Sequence, residues 1–404
     1  MHTLSWQFKR MMHPVISRSH GSGCCEDQRK NQKKKEFCKG THSNAILMET
    51  SRYHLHTMPP ILMNLPAHSN PEIDRSATVC ELPDLAVFDI RGADAVSFLQ
   101  GQITNDIAGA DLGSARLAGY CTPQGRLLAT MIVGRTMPIP DGTADLRAII
   151  KRDILAQTIK RLSMFVMRAK AKLIEAPECT VRGITLSEEL VEAFESKLGS
   201  SLPAVAWEKI ETSAGTWIAA PSVGMRRWWL ISDIHQATPV DSLLQHCTDV
   251  SSEYWHAQDI AVGLPWIEAT TQDLFIPQTL NLDLIQGVSF TKGCYPGQEI
   301  VARSHYRGTV KRRMFSARIE FDQALSQQLL EQTQPGLDVF DGSREDHVCG
   351  RIINRIQTGQ EIFLLLESSF EAVDHNQLRV AAPDGPPLTL ASLPYPVRPV
   401  PDEK

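Results

Sequence analysis

The chain has 404 residues, a formal net charge of −5, 42 % hydrophobic and 6 % aromatic residues, and nine cysteines. That length suits two or three domains, and the apolar fraction supplies ordinary cores and excludes a globally disordered chain. No apolar run approaches the ~20 residues that a membrane-spanning helix requires, which predicts a soluble protein without a membrane partner, and the acidic balance argues against nucleic-acid binding through bulk charge.

The chain begins with a piece unlike the rest. Residues 1–62 hold ten Lys or Arg against four acids, a balance of +6, so the remainder carries −11. This head lacks hydrophobic periodicity and contains polar runs such as Gly21-Ser22-Gly23, the composition of a disordered basic extension. A secretory signal is disfavoured, because no apolar h-region follows a charged n-region. Three readings stay open. An upstream translation start would leave Met48, Met58 or Met63 to begin the globular part; a basic docking tail is the second; a mitochondrial presequence is the third, since the first 23 residues carry basic residues and serines but no acid. The expected location is cytoplasmic, with mitochondrial as the alternative.

From Leu82 the pattern is that of a folded domain. Leu85 to Ile90 reads as a strand, and Gly92-Ala93-Asp94 opens a helix with Val96, Leu99, Ile103 and Ile107 on one side. Arg126 to Arg135 is a second strand after a Pro123-Gln124-Gly125 turn, and Leu146 to Ile150 a third. Asp153 then caps a helix whose apolar side is Ile154, Leu155, Thr158, Ile159, Leu162 and Phe165.

Between Ala169 and Cys247, strands at Ala171 to Ile174, Thr216 to Ala220 and Trp228 to Ile231 alternate with helices at Ser187 to Leu198 and Asp241 to Cys247, as in a small α+β sandwich. A helix follows near Ser252 to Val262, then long loops marked by Gly and Pro. The tail is β-rich: Phe315, Ala317, Ile319 and Phe321 alternate, and strands at Asp338 to Phe340, His347 to Ile353, Glu361 to Leu366 and Gln377 to Val380 follow at short spacing. That spacing predicts a compact antiparallel barrel or sandwich.

The cysteines beyond the head (Cys80, Cys121, Cys179, Cys247, Cys294, Cys349) are scattered singly, with no Cys-x-x-Cys pair and no zinc-finger spacing. They suit a reducing compartment, and most read as small buried hydrophobes. Cys294 differs from the rest. It lies in Lys292-Gly293-Cys294-Tyr295-Pro296-Gly297-Gln298-Glu299, where Tyr295 to Gln298 fits a type II turn and Gln298 to Tyr306 a helix that Gly308 ends. A helix N-terminus and a nearby lysine both favour a thiolate, so a reactive or ligand-binding thiol stands beside the plainer reading of a cysteine packed under a turn.

Lys292, Arg303, Arg307, Lys311, Arg312 and Arg313 face only Glu299, a local +5 that would suit an anionic partner such as a polyglutamate tail or an RNA backbone, or that would simply be a solvated strand end. Trp255 offers either a stacking surface for a flat ligand or a core anchor.

The octad Lys292 to Glu299 resembles the signature of the YgfZ family of folate-binding proteins, relatives of the glycine-cleavage T-protein. The resemblance extends to Gly92-Ala93-Asp94, Gln100-Gly101-Gln102, Phe275-Ile276-Pro277-Gln278, Asn281-Leu282, Val301-Ala302-Arg303, Arg307-Gly308, Lys311-Arg312 and Leu393-Pro394-Tyr395. It implies an α+β protein of three-domain T-protein-like architecture, with a central α/β folate-binding domain (78–168 plus 250–308), a small ferredoxin-like α+β domain (169–249) and a C-terminal antiparallel β-barrel (309–398).

It further implies a tetrahydrofolate-type ligand and a role in sustaining iron–sulfur enzymes, including radical enzymes that modify tRNA. Those enzymes, and tRNA itself, would be the partners. Carried over by position, Cys294 is the functional thiol, in reach of a transient iron–sulfur cluster, with Lys292, Gln298 and Glu299 around it. Trp255, Tyr295, Arg303 and Arg307 are then the ligand-side residues. A second family tryptophan aligns with Leu85, which removes one stacking surface.

T-protein aminomethyltransferases carry acidic residues where this chain has Ala129 and Thr130, so that reaction lacks an obvious general base here. A folate-dependent one-carbon transferase and an RNA-binding module remain as alternatives.

Overall fold

The computed structural model describes residues 76–136, 145–306, 310–321, 326–344 and 347–398. The basic head, with the disorder expected of it, lies outside them, as do Arg307 and Gly308.

Three sheets organise a mixed α+β fold. The first is antiparallel throughout, its strands lying in the order Ala115–Cys121, Leu127–Arg135, Leu146–Lys151, Leu85–Arg91 and Lys172–Glu175. Leu85–Arg91 buries every residue except Arg91, and Leu127–Arg135 all but its last. Strands covered on both faces read as unbroken apolar runs rather than alternating ones. Helix Arg152–Val166 supplies one cover through Ile154, Leu155 and Leu162, and the same core continues into Val181, Trp229 and Ile231 of the second sheet.

That second sheet runs Thr248–Asp249, Ala77–Glu81, Cys179–Leu186, Arg226–Asp233, Gly215–Ala219 and Lys209–Thr212, with only the first pair parallel. Helix Glu188–Leu198 seals its outer face with Val191 and Phe194 against Trp217 and Trp228.

Two strands belong to other sheets than their place in the chain suggests. Lys172–Glu175 pairs with Leu85–Arg91 in the first sheet, while Ala77–Glu81 pairs with Cys179–Leu186 in the second. Chain order carries no signal for such an exchange, since both partners are remote in sequence.

The third sheet is antiparallel, in the order Leu378–Val380, Asp338–Asp341, Val348–Thr358, Glu361–Ser369, Arg312–Glu320 and Thr389–Ala391. Its edges approach each other where the Leu388 N–H donates to the Leu378 carbonyl (2.9 Å) and the Val380 N–H to the Pro386 carbonyl (3.1 Å). The sheet is thus curled most of the way to a barrel, as the short strand spacing predicted.

Three local expectations need correction. The helix after Asp94 spans only Ala95–Gln100. Beyond it the Gln100 side-chain carbonyl accepts from the N–H groups of Ile107 and Ala108, and the Thr104 N–H donates to the Gly119 carbonyl, so Ile103 and Ile107 stay buried without being helical. Asp153 does not cap its helix: Lys151 is the N-cap, and the Asp153 carboxylate accepts the N–H of Ala269. Phe165, expected on the buried side, is 51 % exposed, and its neighbour Val166 packs against the core instead.

Candidate functional site: the Lys292–Glu299 loop

The turn at the centre of the motif forms as its residues dictate. Proline presets the second position, Gly297 takes φ +80°, and the Gln298 N–H donates to the Tyr295 carbonyl at 3.2 Å. A second turn, Thr122 to Gly125, closes with Gly125 at φ +75° and its N–H on the Thr122 carbonyl. The two turns meet glycine to glycine: a Cβ on Gly297 would lie 2.5 Å from the Thr122 oxygen and 2.6 Å from the Gly125 Cα. Helix Gln298–Tyr306 begins at once and is held by Val301, fully buried, whose carbonyl accepts from the Gln278 amide at 2.6 Å.

The other end of the loop is fixed by polar contacts. Thr104 Oγ1 donates to the Gly287 carbonyl (2.6 Å), the Asn105 amide to the Gln286 carbonyl (2.6 Å), and the Ser289 N–H to the Thr104 carbonyl (3.0 Å). Lys292 turns inward, and its ammonium donates to the carbonyls of Gln100 (2.5 Å) and Ile103 (2.6 Å). Burial pushes its pKa down to about 8. The Tyr295 ring lies 5.1 Å from that ammonium and is buried, which raises its phenol.

Between these anchors Gly293 and Cys294 are exposed, with open space around a would-be Cβ on Gly293. Glu299 is exposed and Gln298 half-buried. The ring of His305 stacks on Phe290 at 3.8 Å, bringing an imidazole to the loop from the following helix. That histidine was not singled out from the sequence, where it lies far along the chain from Phe290.

The local +5 does not survive as one surface. Besides the inward-turned Lys292, Arg313 is buried, gripping Asp283 with both guanidinium nitrogens (2.5 and 3.0 Å) and the Gln278 carbonyl. Arg312 pairs with Glu367 at 3.3 Å. Arg303 and Lys311 are the exposed members, and Arg307 lies outside the described residues. Charge counting could not separate structural from solvated arginines, because their partners come from other elements.

Trp255 is wholly buried on helix Ser252–Ala261. Trp229 meets it edge-on at 5.7 Å, the Arg227 guanidinium covers its ring at 3.9 Å, and Gly183 packs so closely that a Cβ there would fall 2.3 Å from the indole. Of the two roles open to it, core anchor is the one this packing gives; no face is free for a ligand. Leu85 is buried too. Thr130, also buried, donates to the Pro265 carbonyl and accepts from the Ile267 N–H, so it holds the 265–267 loop, and Ala129 beside it is fully covered.

Around Trp255 lies a charge network that no sequence motif marks. Arg227 pairs with Asp259 at 2.7 Å, and His256 reaches Asp259 (3.3 Å) and Asp84 (3.0 Å), which also receives Lys151 (2.7 Å). A neighbouring cleft of about 180 Å³ is lined by Trp207, Pro221, Leu264, Leu284, Gln286 and Tyr395 among others. Trp207 adopts φ +74°, rare for a bulky residue, and its ring stacks on Trp229 at 6.0 Å. The Tyr395 hydroxyl donates to the Gly263 carbonyl at 3.1 Å, fastening the C-terminal segment to this cleft.

No family model matches the chain. It is 31 % identical over 242 residues to the tRNA-modifying protein YgfZ of Yersinia pseudotuberculosis, covering 59 % of this chain and 70 % of that protein. It is 30 % identical over 239 residues to the same-named protein of Yersinia enterocolitica, with the same coverage. Among solved structures, the glycine cleavage system aminomethyltransferase T of Bartonella henselae superposes with a TM-score of 0.58 over 79 % of this chain and 86 % of that one, at 14 % identity. At that identity the likeness concerns the fold alone.

Proposed function

The chain belongs to the YgfZ family, and from that premise we propose that it is a folate-binding accessory protein supporting tRNA modification by iron–sulfur enzymes, with Cys294 as its functional thiol. The observation that carries this reading is the contrast among thiols. Burial pushes Cys80 and Cys121 up to about 12 and Cys247 to about 11, while Cys294 is the exposed cysteine among the described residues. A thiol must be accessible to bind a metal centre or to form a mixed disulfide, and only this one is presented on an anchored loop.

For the folate we assign the cleft lined by Trp207 and Gln286, whose volume of about 180 Å³ suits the flat ring end of such a ligand rather than the whole of it. The Ala129 and Thr130 positions, without a carboxylate, give no support to an aminomethyl transfer.

In a bacterial strain deleted for its own YgfZ protein, expression of this chain should restore the iron–sulfur-dependent tRNA modification, and Cys294→Ala should not. Full restoration by Cys294→Ala would refute the thiol's role. Titration with tetrahydrofolate should quench tryptophan fluorescence, and Trp207→Ala should weaken the binding; an unchanged affinity would remove the cleft from the reading.

A further inference from the structure

The basic surface that this protein does present lies elsewhere, at the C-terminal end of helix Arg152–Val166. From Ile154 to Ile174 the chain has Lys160, Arg161, Arg168, Lys170 and Lys172 and no acid, in a body that is otherwise acidic. None of the five side chains joins an ion pair among the described residues, and all but the half-buried Arg161 are exposed. Asp94 comes close from another element, where its carboxylate accepts the Lys170 backbone N–H.

Interleaved in the chain with these cations stand three large apolar side chains, Met164 at 61 %, Phe165 at 51 % and Met167 at 87 % exposure. The helix already buries its other side through Ile154, Leu155 and Leu162, so these three are not core residues awaiting a partner within the described fold. They stand exposed at a helix end, with Met167 at φ +42° as the residue that ends it.

We propose that this helix end is a docking surface for an anionic lipid bilayer. Projecting Met and Phe side chains need no preformed pocket in a fluid surface that yields to them, while the lysines and arginines meet headgroup phosphates. Bases of an RNA would instead want stacking platforms, and only Phe165 has an aromatic face. The head of the chain is a poor occupant, since its +6 balance repels the same cations. Attachment of this kind is peripheral, and no described helix is long and apolar enough to cross a membrane.

The test is co-flotation of the full chain with vesicles of phosphatidylcholine alone and with phosphatidylserine added. Binding is expected only to the anionic vesicles, weakening as salt is raised. Met164→Ser with Phe165→Ser should lower it by more than about tenfold, and Lys170→Glu with Lys172→Glu should abolish it, with unchanged circular dichroism in each. Absence of binding to anionic vesicles overturns the proposal. So does binding that the patch variants leave intact, which would assign it to the basic head. If vesicles are inert and the same variants instead abolish a tRNA gel shift or dissociate a dimer in sedimentation, the surface belongs to RNA or to a second copy, and the lipid assignment falls.

Discussion

Gly125 and Gly297 meet backbone against backbone, so that the Gly297 nitrogen-side turn and the Pro123-Gln124-Gly125 turn share one space that admits no side chain. Both glycines also take positive φ. This contact sets where Cys294 stands, because it fixes the C-terminal root of the exposed loop to the turn that joins strands Ala115–Cys121 and Leu127–Arg135 of the first sheet. A Cβ on Gly297 would collide with Thr122 and Gly125 backbone atoms, which cannot move aside as a flexible side chain would. Gly297→Ala should therefore cost at least about 1–3 kcal/mol, read as a lower urea midpoint, with loss of complementation in parallel. A neutral effect would mean that the two turns separate easily.

Lys292 anchors the other root. Lys292→Met keeps the apolar stem and removes the donors to Gln100 and Ile103. A loss of about 1.5–3 kcal/mol is expected, from equilibrium denaturation. The chemistry of the loop should suffer with it, since Cys294 is presented between the two roots.

Two arginines of one basic run should behave oppositely. Arg313→Met strands the buried Asp283 carboxylate and should cost about 3–5 kcal/mol, whereas exposed Arg303→Ala should change stability by less than about 0.5 kcal/mol. Thermal unfolding of the two variants distinguishes them directly, and equal effects would contradict the structure.

Cys294 should be the thiol that reacts first among those of the described residues. Native alkylation followed by mass spectrometry should label it ahead of Cys80, Cys121, Cys179 and Cys349, all of which are buried. Cys294→Ala should leave the melting temperature unchanged, because an exposed side chain contributes little packing.

The network around His256 carries a pH dependence. Burial alone would lower the His256 pKa, but its hydrogen bonds to Asp259 and Asp84 outweigh burial and the shift is upward. The stabilisation is full below the ordinary histidine value of 6.5 and is lost as pH rises through the raised folded value. Asp84 moves the other way: burial opposes its charge, yet His256 and Lys151 hold it below the usual carboxylate range, so its contribution fades as pH falls below about 4. The wild type should lose stability more steeply than His256→Gln when the pH is raised above about 6.5, as followed by the melting temperature. A constant difference between the two would rule out this linkage.

Local chemistry was legible in the chain by itself. The type II turn follows from a Pro-Gly pair, the helix after it from periodicity, and the central strands from unbroken apolar runs, since each depends on residues a few positions apart. The octad likewise carried its family resemblance, which the relatives bear out.

What tertiary structure alone decided is which groups of equal formal character are used inside. Lys292 and Arg313 look like surface cations until Gln100, Ile103 and Asp283 arrive from remote segments, and Trp255 looks like a stacking surface until Gly183 and Arg227 close over it. Conversely, Phe165 has the spacing of a core residue but stands exposed while its neighbour Val166 packs on the core. Burial and pairing are relations between distant parts of the chain, set by how its strands cross between sheets, and no local window of sequence contains them.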